Sequence, residues 1–214
     1  MLGQAFAVSG VVSLAVAGLL ASNLLYDRGV PGSLSRYVAP ILGGAAYLVA
    51  VLWADVGTAT SLSGVLGLGI LALRVGFRRG LRGVKGSLPT QAWAEVTYAT
   101  AGTTSLAVGW GLLGDRWLAF LPIAFMAWGD SVAGVLRASL WRDRVASLWP
   151  SVAMLGVCLV VAAFYQFYWI GALGAVVATA AERRRPVVLS LWDDNLHLVA
   201  LSLAVMAGLS GLGR

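Results

Sequence analysis

The stretch WDDNLHLVALSLAVMAGLSGL, residues 192–212, places two carboxylates and an amide directly before an apolar run that begins at Leu196. The whole chain of 214 residues contains nine acidic residues, and two of them stand side by side here. An ionisable group near membrane hydrocarbon is costly and is usually retained for a function. The stretch therefore predicts a membrane helix whose opening residues, Asp193, Asp194 and Asn195, belong to a polar site.

The composition of the rest of the chain indicates the same environment. Hydrophobic residues make up 59% of it and charged residues 11%, and the mean hydropathy is +0.85. These values predict an integral membrane protein, an all-α helical bundle with one domain over residues 1–214. Any chemistry must then be built from helix ends and short loops. Apolar runs of membrane-spanning length predict about eight transmembrane helices, near residues 3–25, 38–55, 58–76, 93–113, 117–140, 146–165, 167–181 and 195–213.

Charged residues are unevenly distributed between the two sides of this predicted bundle. With the N-terminus outside, all 15 Lys and Arg residues except Arg116 and Arg214 lie on the cytoplasmic side, as the positive-inside rule favours. Most acidic residues lie toward the same side, although acids contribute little to orientation. This convergence predicts a site for a charged substrate on the cytoplasmic face of the cell membrane. The alternative is that the helices simply end in charged residues.

The mixture of charges narrows the class of substrate. The chain has no long basic tail and no basic stripe interleaved with aromatic residues, so nucleic acid is not expected as a partner. Arginines bind phosphate oxygens, and carboxylates hold Mg²⁺ with only one or two protein ligands. A nucleotide phosphate with Mg²⁺ therefore suits the predicted site, whereas anionic lipid headgroups would attract the arginines without needing the carboxylates.

Asp130 is the second notable carboxylate, because it lies inside an apolar run. It is 13 residues beyond Trp117, or roughly 20 Å along a helix. An aspartate at that depth requires a cation, a metal or a polar cavity. The preceding Gly129 allows a backbone or a ligand to approach closely. We expect a functional role for Asp130, with a structural aspartate bonded inside the bundle as the alternative.

The predicted loop over residues 78–90 carries Lys85, the only lysine of the chain, among arginines and glycines. The phosphate-binding pattern GxxxxGK[ST] is absent, and such a loop is also a common topology determinant. Glu95 follows the loop and is suited either to a neighbouring arginine or to a metal. The single histidine, His197, and the absence of a Gly-x-Ser-x-Gly motif argue against a hydrolase.

Four motifs occur in a fixed order along the chain. SRYVAPILGG (residues 35–44) resembles an Arg-Lys-x-x-His-x-x-x-Gly segment, with Tyr37 and Pro40 in place of its lysine and histidine. EVTY (95–98) resembles a Glu-x-x-Tyr element, and GDSVAG (129–134) resembles a Gly-Asp-x-x-Ala-x-x-x-Gly signature. Glu182 followed by DDNL (193–196) resembles a Glu and Asp-Asp-Asn-Leu pattern that comes last, near the carboxyl end. In this order the motifs are similar to those of the membrane-embedded polyprenol kinases, which include dolichol kinase and phytol kinase.

This resemblance implies phosphoryl transfer from a nucleoside triphosphate, typically CTP, to the hydroxyl of an isoprenoid alcohol, with Mg²⁺ as cofactor. It implies catalytic roles for Asp130 and Asp194, and metal binding by Asp130, Asp193 and Asp194. For substrate and nucleotide binding it implies Arg36, Lys85, Glu95, Arg144, Glu182 and Asn195. Here Arg142 or Arg144 would replace the lysine of a family element that corresponds to residues 146–151.

Two other classes of protein fit parts of the pattern. A lipid cytidylyltransferase would use the same nucleotide and metal, but it would release pyrophosphate and form a CDP-lipid. A small-solute transporter would also collect charges at helix ends, although it usually places its site at the membrane midplane between repeated halves. The sequence shows no convincing internal repeat, which disfavours the transporter.

Overall fold

A computed structural model describes residues 2–76, 81–84, 93–140, 147–183 and 194–212, with the side chains of all of these except residues 2, 194 and 212. Throughout these ranges the chain forms helices joined by turns, and they contain no strand. The predicted all-α class is confirmed.

The helices follow the predicted order with shifted ends. In the described ranges they are α1 (Leu2–Asp27), α2 (Gly32–Ser35), α3 (Val38–Trp53), α4 (Val56–Gly76), α5 (Ala94–Ser105), α6 (Arg116–Ala124), α7 (Ser131–Ser139), α8 (Trp149–Ala162), α9 (Tyr168–Arg183) and α10 (Asp194–Leu212). A π-helical segment, Leu106–Leu112, extends α5. A second one, Phe125–Asp130, joins α6 to α7, so that Arg116–Ser139 is one continuous helix.

Several of these helices are able to span a bilayer. Within the described residues, four are long and apolar enough by length and composition: Gly3–Asp27, Gly32–Trp53, Val56–Gly76 and Arg116–Ser139. Two further apolar helices, Trp149–Ala162 and Asn195–Gly211, are shorter. The number of eight crossings and the external N-terminus remain predictions.

The continuous helix Arg116–Ser139 forms the centre of the bundle. Every residue from Leu118 to Ala124 is buried, and α3, α5, α8, α9 and α10 pack around this helix. By contrast, α1 and α4 lie at the periphery and expose large apolar side chains such as Leu20 and Leu68. An apolar outer surface of this kind suits contact with hydrocarbon.

Close packing in the bundle depends on small residues, as expected for membrane helices. A Cβ added at Gly44 of α3 would lie 2.7 Å from the Cβ of Ala127, too close for a real side chain. A Cβ at Gly109 would lie 2.6 Å from the Cα of Ala119. These glycines let neighbouring helices pack closely against the central helix Arg116–Ser139.

Polar contacts distinguish the two ends of the bundle. At one end, which we call the charged end, salt bridges join Arg82 to Asp27 at 3.6 Å, Arg74 to Glu95 at 2.9 Å and Arg137 to Glu182 at 2.5 Å. At the opposite end, Gln4 donates to Asp55 at 2.5 Å and Tyr165 donates to Asp115 at 2.8 Å. The charged end is the one predicted to face the cytoplasm.

Asp115 stabilises the opposite end through two kinds of hydrogen bond. Its Oδ1 accepts from the backbone N–H groups of Trp117 and Leu118 at 2.9 and 3.0 Å, which caps α6. Its Oδ2 accepts from the hydroxyl of Tyr165, which lies in the turn between α8 and α9. One side chain therefore ties the start of the central helix to a distant turn.

We expect Asp115→Ala to lower the free energy of unfolding by about 2 kcal/mol, because both the helix cap and an acceptor for the Tyr165 hydroxyl are lost. Reversible unfolding in mixed detergent micelles measures the change. Asp115→Asn is the matched control, since the asparagine oxygen caps helices well and its NH2 group can donate to the Tyr165 hydroxyl, which then accepts. Equal losses for the two variants would contradict the role assigned to these hydrogen bonds.

Candidate active site

A cavity of about 500 Å³ lies between the α1–α3 pair and the α4–α5 pair and reaches the charged end of the bundle. Most of its wall is apolar. We call this part the apolar trough; its lining includes Val11, Ala46, Ala50, Ala59 and Leu66. Polar side chains line the other part, which we call the polar mouth: Arg36, Tyr37, Glu95, Asp130, Ser131, Arg137, Glu182 and Asn195.

Asp130 is placed in the polar mouth by the π-helical segment that ends at it. Isolated π turns inside α-helices often occur at functional sites, since they change the direction in which side chains point. The segment is tightly held, because a Cβ on Gly129 would lie 2.5 Å from the Sγ of Cys158 on α8. The indole of Trp128 donates to the carbonyl of Ile41 on α3 at 3.1 Å. Asp130 is therefore fixed between α3 and α8.

Cys158 itself is fully buried in the apolar core. It packs beside the π-helical segment and is part of the support of Asp130. Its role is packing.

Arg36 and Tyr37 form the α3 side of the polar mouth. The Arg36 guanidinium donates to the Tyr37 hydroxyl at 2.5 Å and lies 4.7 Å from the centre of the Tyr37 ring. The Tyr37 ring rests against α7 at Gly134, where any Cβ would collide with it. Tyr37 therefore lies between Arg36 and α7 in the polar mouth, whose lining also includes Asp130.

Arg137 is a cavity residue that the sequence alone did not single out. It lies on α7 and donates to Glu182 of α9 at 2.5 Å. Glu182 is 5% exposed, so its carboxylate depends on this guanidinium for its partner. The available signal was helical periodicity: Arg137 follows Asp130 by seven residues, two turns of one helix, and so lies on the same face.

Glu95 pairs with an arginine, one of the two roles predicted for it. Its carboxylate lies 2.9 Å from the Arg74 guanidinium, which is also 5.3 Å from the centre of the Trp93 ring. This buried pair joins α4 to α5 at the polar mouth. Asn195 makes a similar link, since its amide donates to the carbonyl of Ala94 at 3.1 Å and holds the start of α10 against α5.

The predicted site residues therefore fall into two groups. Arg36, Glu95, Asp130, Glu182 and Asn195 line one cavity, although they are spread over α2 to α10 in the chain. Lys85, Arg144 and Asp193 lie outside the described residues, and Asp194 begins α10 without a described side chain. The structure thus brings Asp130 and Glu182 together in the polar mouth.

Whether the polar mouth can bind Mg²⁺ depends on the donor side chains that it contains. Within the described residues, no group of three or more His, Cys, Asp or Glu side chains is arranged to hold a metal. Glu95 and Glu182 are already bound to arginines. Mg²⁺ in nucleotide sites takes one or two carboxylates and completes its shell with water and phosphate oxygens. Mg²⁺ binding in this manner would use Asp130 as a protein ligand, with a nucleotide and water as the others.

Comparison of the chain with protein-family models, with curated proteins and with solved structures finds no significant match. The function is therefore inferred from the cavity and from the sequence motifs.

Proposed function

We propose that this protein is a membrane-embedded lipid kinase. It transfers the terminal phosphoryl group of a nucleoside triphosphate, CTP by resemblance to the polyprenol kinases, to the hydroxyl of an isoprenoid alcohol at the cytoplasmic face. The observation that carries the proposal is the single cavity that combines a charged polar mouth with a long apolar trough. An alcohol with a polar head and a hydrocarbon tail matches both parts, and a triphosphate matches the arginines at the mouth.

The reaction needs positioning and charge neutralisation more than a nucleophilic side chain. The alcohol oxygen attacks the γ-phosphorus, the bond from that phosphorus to the bridging oxygen of the β-phosphate breaks, and CDP leaves. The hydroxyl proton passes to a carboxylate of the mouth, for which Asp130 is our candidate. Arg36 and Arg137 offer cationic donors to the phosphate oxygens. Mg²⁺ held by Asp130 would supply further neutralisation of phosphate charge.

Incubation of the purified protein with CTP, Mg²⁺ and an isoprenoid alcohol tests this function through its products. We expect CDP and a lipid monophosphate in equal amounts. In a parallel incubation with the lipid monophosphate in place of the alcohol, pyrophosphate and a CDP-lipid would instead establish a cytidylyltransferase. Consumption of no nucleotide over a series of nucleoside triphosphates and alcohols would reject both enzymes and favour the transporter.

A further inference from the structure

The apolar trough opens sideways between α1 and α4. Val16 of α1 and Val65 of α4 both line the cavity, yet they are 45% and 64% exposed at the bundle surface. A side chain that faces a cavity and the outside at once marks the edge of an opening. Because the surface here is apolar, the opening leads to lipid hydrocarbon and not to water. A membrane-dissolved chain can enter without crossing a polar barrier.

The end of the trough that lies farthest from the polar mouth is closed. Val11, Ala50 and Ala59 line it and are 6%, 3% and 2% exposed, so protein covers them on the outer side. Beyond them the opposite end of the bundle is tied together. There Gln4 donates to Asp55, whose carboxylate also accepts from the Thr58 backbone at 2.9 Å at the start of α4. These three apolar residues form the floor of the trough.

Hydroxyl groups along the trough bind one another and leave the wall apolar. Tyr47 and Ser63 both line the cavity, and their oxygens lie 2.7 Å apart. The Ser63 oxygen is also 2.7 Å from the Thr103 hydroxyl, which donates to the Ala99 carbonyl at 2.8 Å. Because these groups satisfy each other, a hydrocarbon chain can lie against them without stranding a polar atom.

The length of the trough follows from the helices that line it. On α3, Tyr37 at the mouth and Ala50 at the floor are 13 residues apart, which corresponds to roughly 20 Å. On α4, Leu73 and Ala59 are 14 residues apart, or roughly 21 Å. An extended isoprene unit has four chain bonds of about 1.5 Å in a zigzag and advances about 5 Å. Because these distances include the polar mouth, the trough matches a tail of at most about four units.

The volume of the cavity agrees with this length. At about 30 Å³ for each water-sized heavy atom, the 500 Å³ of the whole cavity, polar mouth included, holds about 17 heavy atoms, which sets an upper limit of three to four isoprene units. Resting on the proposed kinase function, we propose that the apolar trough binds the tail of an alcohol with three to four isoprene units, and that Ala50 and Ala59 at its floor set the accepted length. Longer tails must bend out through the opening at Val16 and Val65.

Substitution of the floor tests the proposal. Wild-type protein is expected to phosphorylate alcohols of three and four isoprene units fastest in a series from two to eleven units. Ala59→Phe, and independently Ala50→Leu, fill the floor and are expected to lower the ratio of rates on the four-unit and two-unit alcohols about tenfold. Ala72→Leu is the matched control, because Ala72 lies on α4 but is exposed outside the cavity. An unchanged ratio in both floor variants would overturn the proposal.

A binding measurement separates this proposal from the kinase function itself. A four-unit alcohol with a photoreactive diazirine on its last unit is expected to crosslink to peptides that contain residues 11, 50 and 59, and Ala59→Phe is expected to reduce that labelling about tenfold. Labelling at the floor without phosphorylation of any alcohol would reject the kinase and keep the tail site. Phosphorylation with labelling only on the outer faces of α8 and α9 would keep the kinase and reject the tail site.

Discussion

Replacement of Asp130 by asparagine is expected to lower the rate of lipid phosphorylation by about a thousandfold, while the protein remains folded. The asparagine side chain has almost the same size and could keep hydrogen bonds, but it could neither accept the hydroxyl proton nor bind Mg²⁺ with a negative charge. The loss should appear in kcat more than in KM for the alcohol, because the tail is bound elsewhere in the cavity. Steady-state kinetics with CTP and a four-unit alcohol measure it.

The control for Asp130→Asn is the same change at Asp115, which lies at the opposite end of the bundle. Asp115→Asn alters the charge of the protein equally but leaves the polar mouth intact, so wild-type kinetics are expected. The thermal unfolding of both variants in detergent should stay close to that of wild type. An Asp130→Asn variant with more than a tenth of wild-type activity would remove Asp130 from the chemistry.

Asp130 also shows how far the sequence alone could lead. Its depth inside an apolar run predicted a cation, a metal or a polar cavity around it, and in the structure it lies in the polar mouth of a cavity. The sequence also predicted that charged residues group on one side of the bundle. In the structure, ion pairs at the charged end join several of them. Both predictions depend on local sequence and on the cost of placing charge in hydrocarbon, which any membrane fold must meet.

Other parts of the site depend on contacts that no local pattern contains. Arg137 and Glu182 are 45 residues apart, and only the packing of α7 near α9 makes them partners. The π-helical segment before Asp130 leaves no clear mark in its sequence, FMAWGD. The apolar trough exists because α4 packs on α5 and α1 packs on α3, which leaves space between the pairs. Such spaces follow from the arrangement of helices and not from their composition.

Buried acids in the polar mouth are neutralised by arginines from neighbouring helices. Glu95 is matched by Arg74 and Glu182 by Arg137, with the acid in each pair almost fully buried. The arginines are more exposed, at 16% and 30% of the side chain. Arg137 lines the cavity, so it can hold its structural carboxylate with one edge and offer other N–H groups to a phosphate, since a guanidinium carries five of them.

In the Arg137–Glu182 pair, the structural role of the arginine can be measured apart from phosphate binding, through the free energy of unfolding of variants. Arg137→Met is expected to lower the free energy of unfolding by about 3 kcal/mol, because it leaves the Glu182 carboxylate buried without its cation. The double variant Arg137→Met/Glu182→Met should recover most of that loss, since no buried charge remains. Unfolding in mixed detergent micelles measures both. As a comparison, Arg82→Met breaks an exposed pair with Asp27 and should change stability by less than about 1 kcal/mol.

Activity should not recover together with stability. If Arg137 donates to the transferred phosphate, the stable double variant will still phosphorylate lipid at least about a hundredfold more slowly than wild type, with a higher KM for CTP. If Arg137 serves only to neutralise Glu182, the double variant will regain activity as it regains stability. Because the double variant also lacks Glu182, the single variant Glu182→Met measures the effect of losing the carboxylate on activity. The three variants together separate a cation needed by the fold from a cation needed by the substrate.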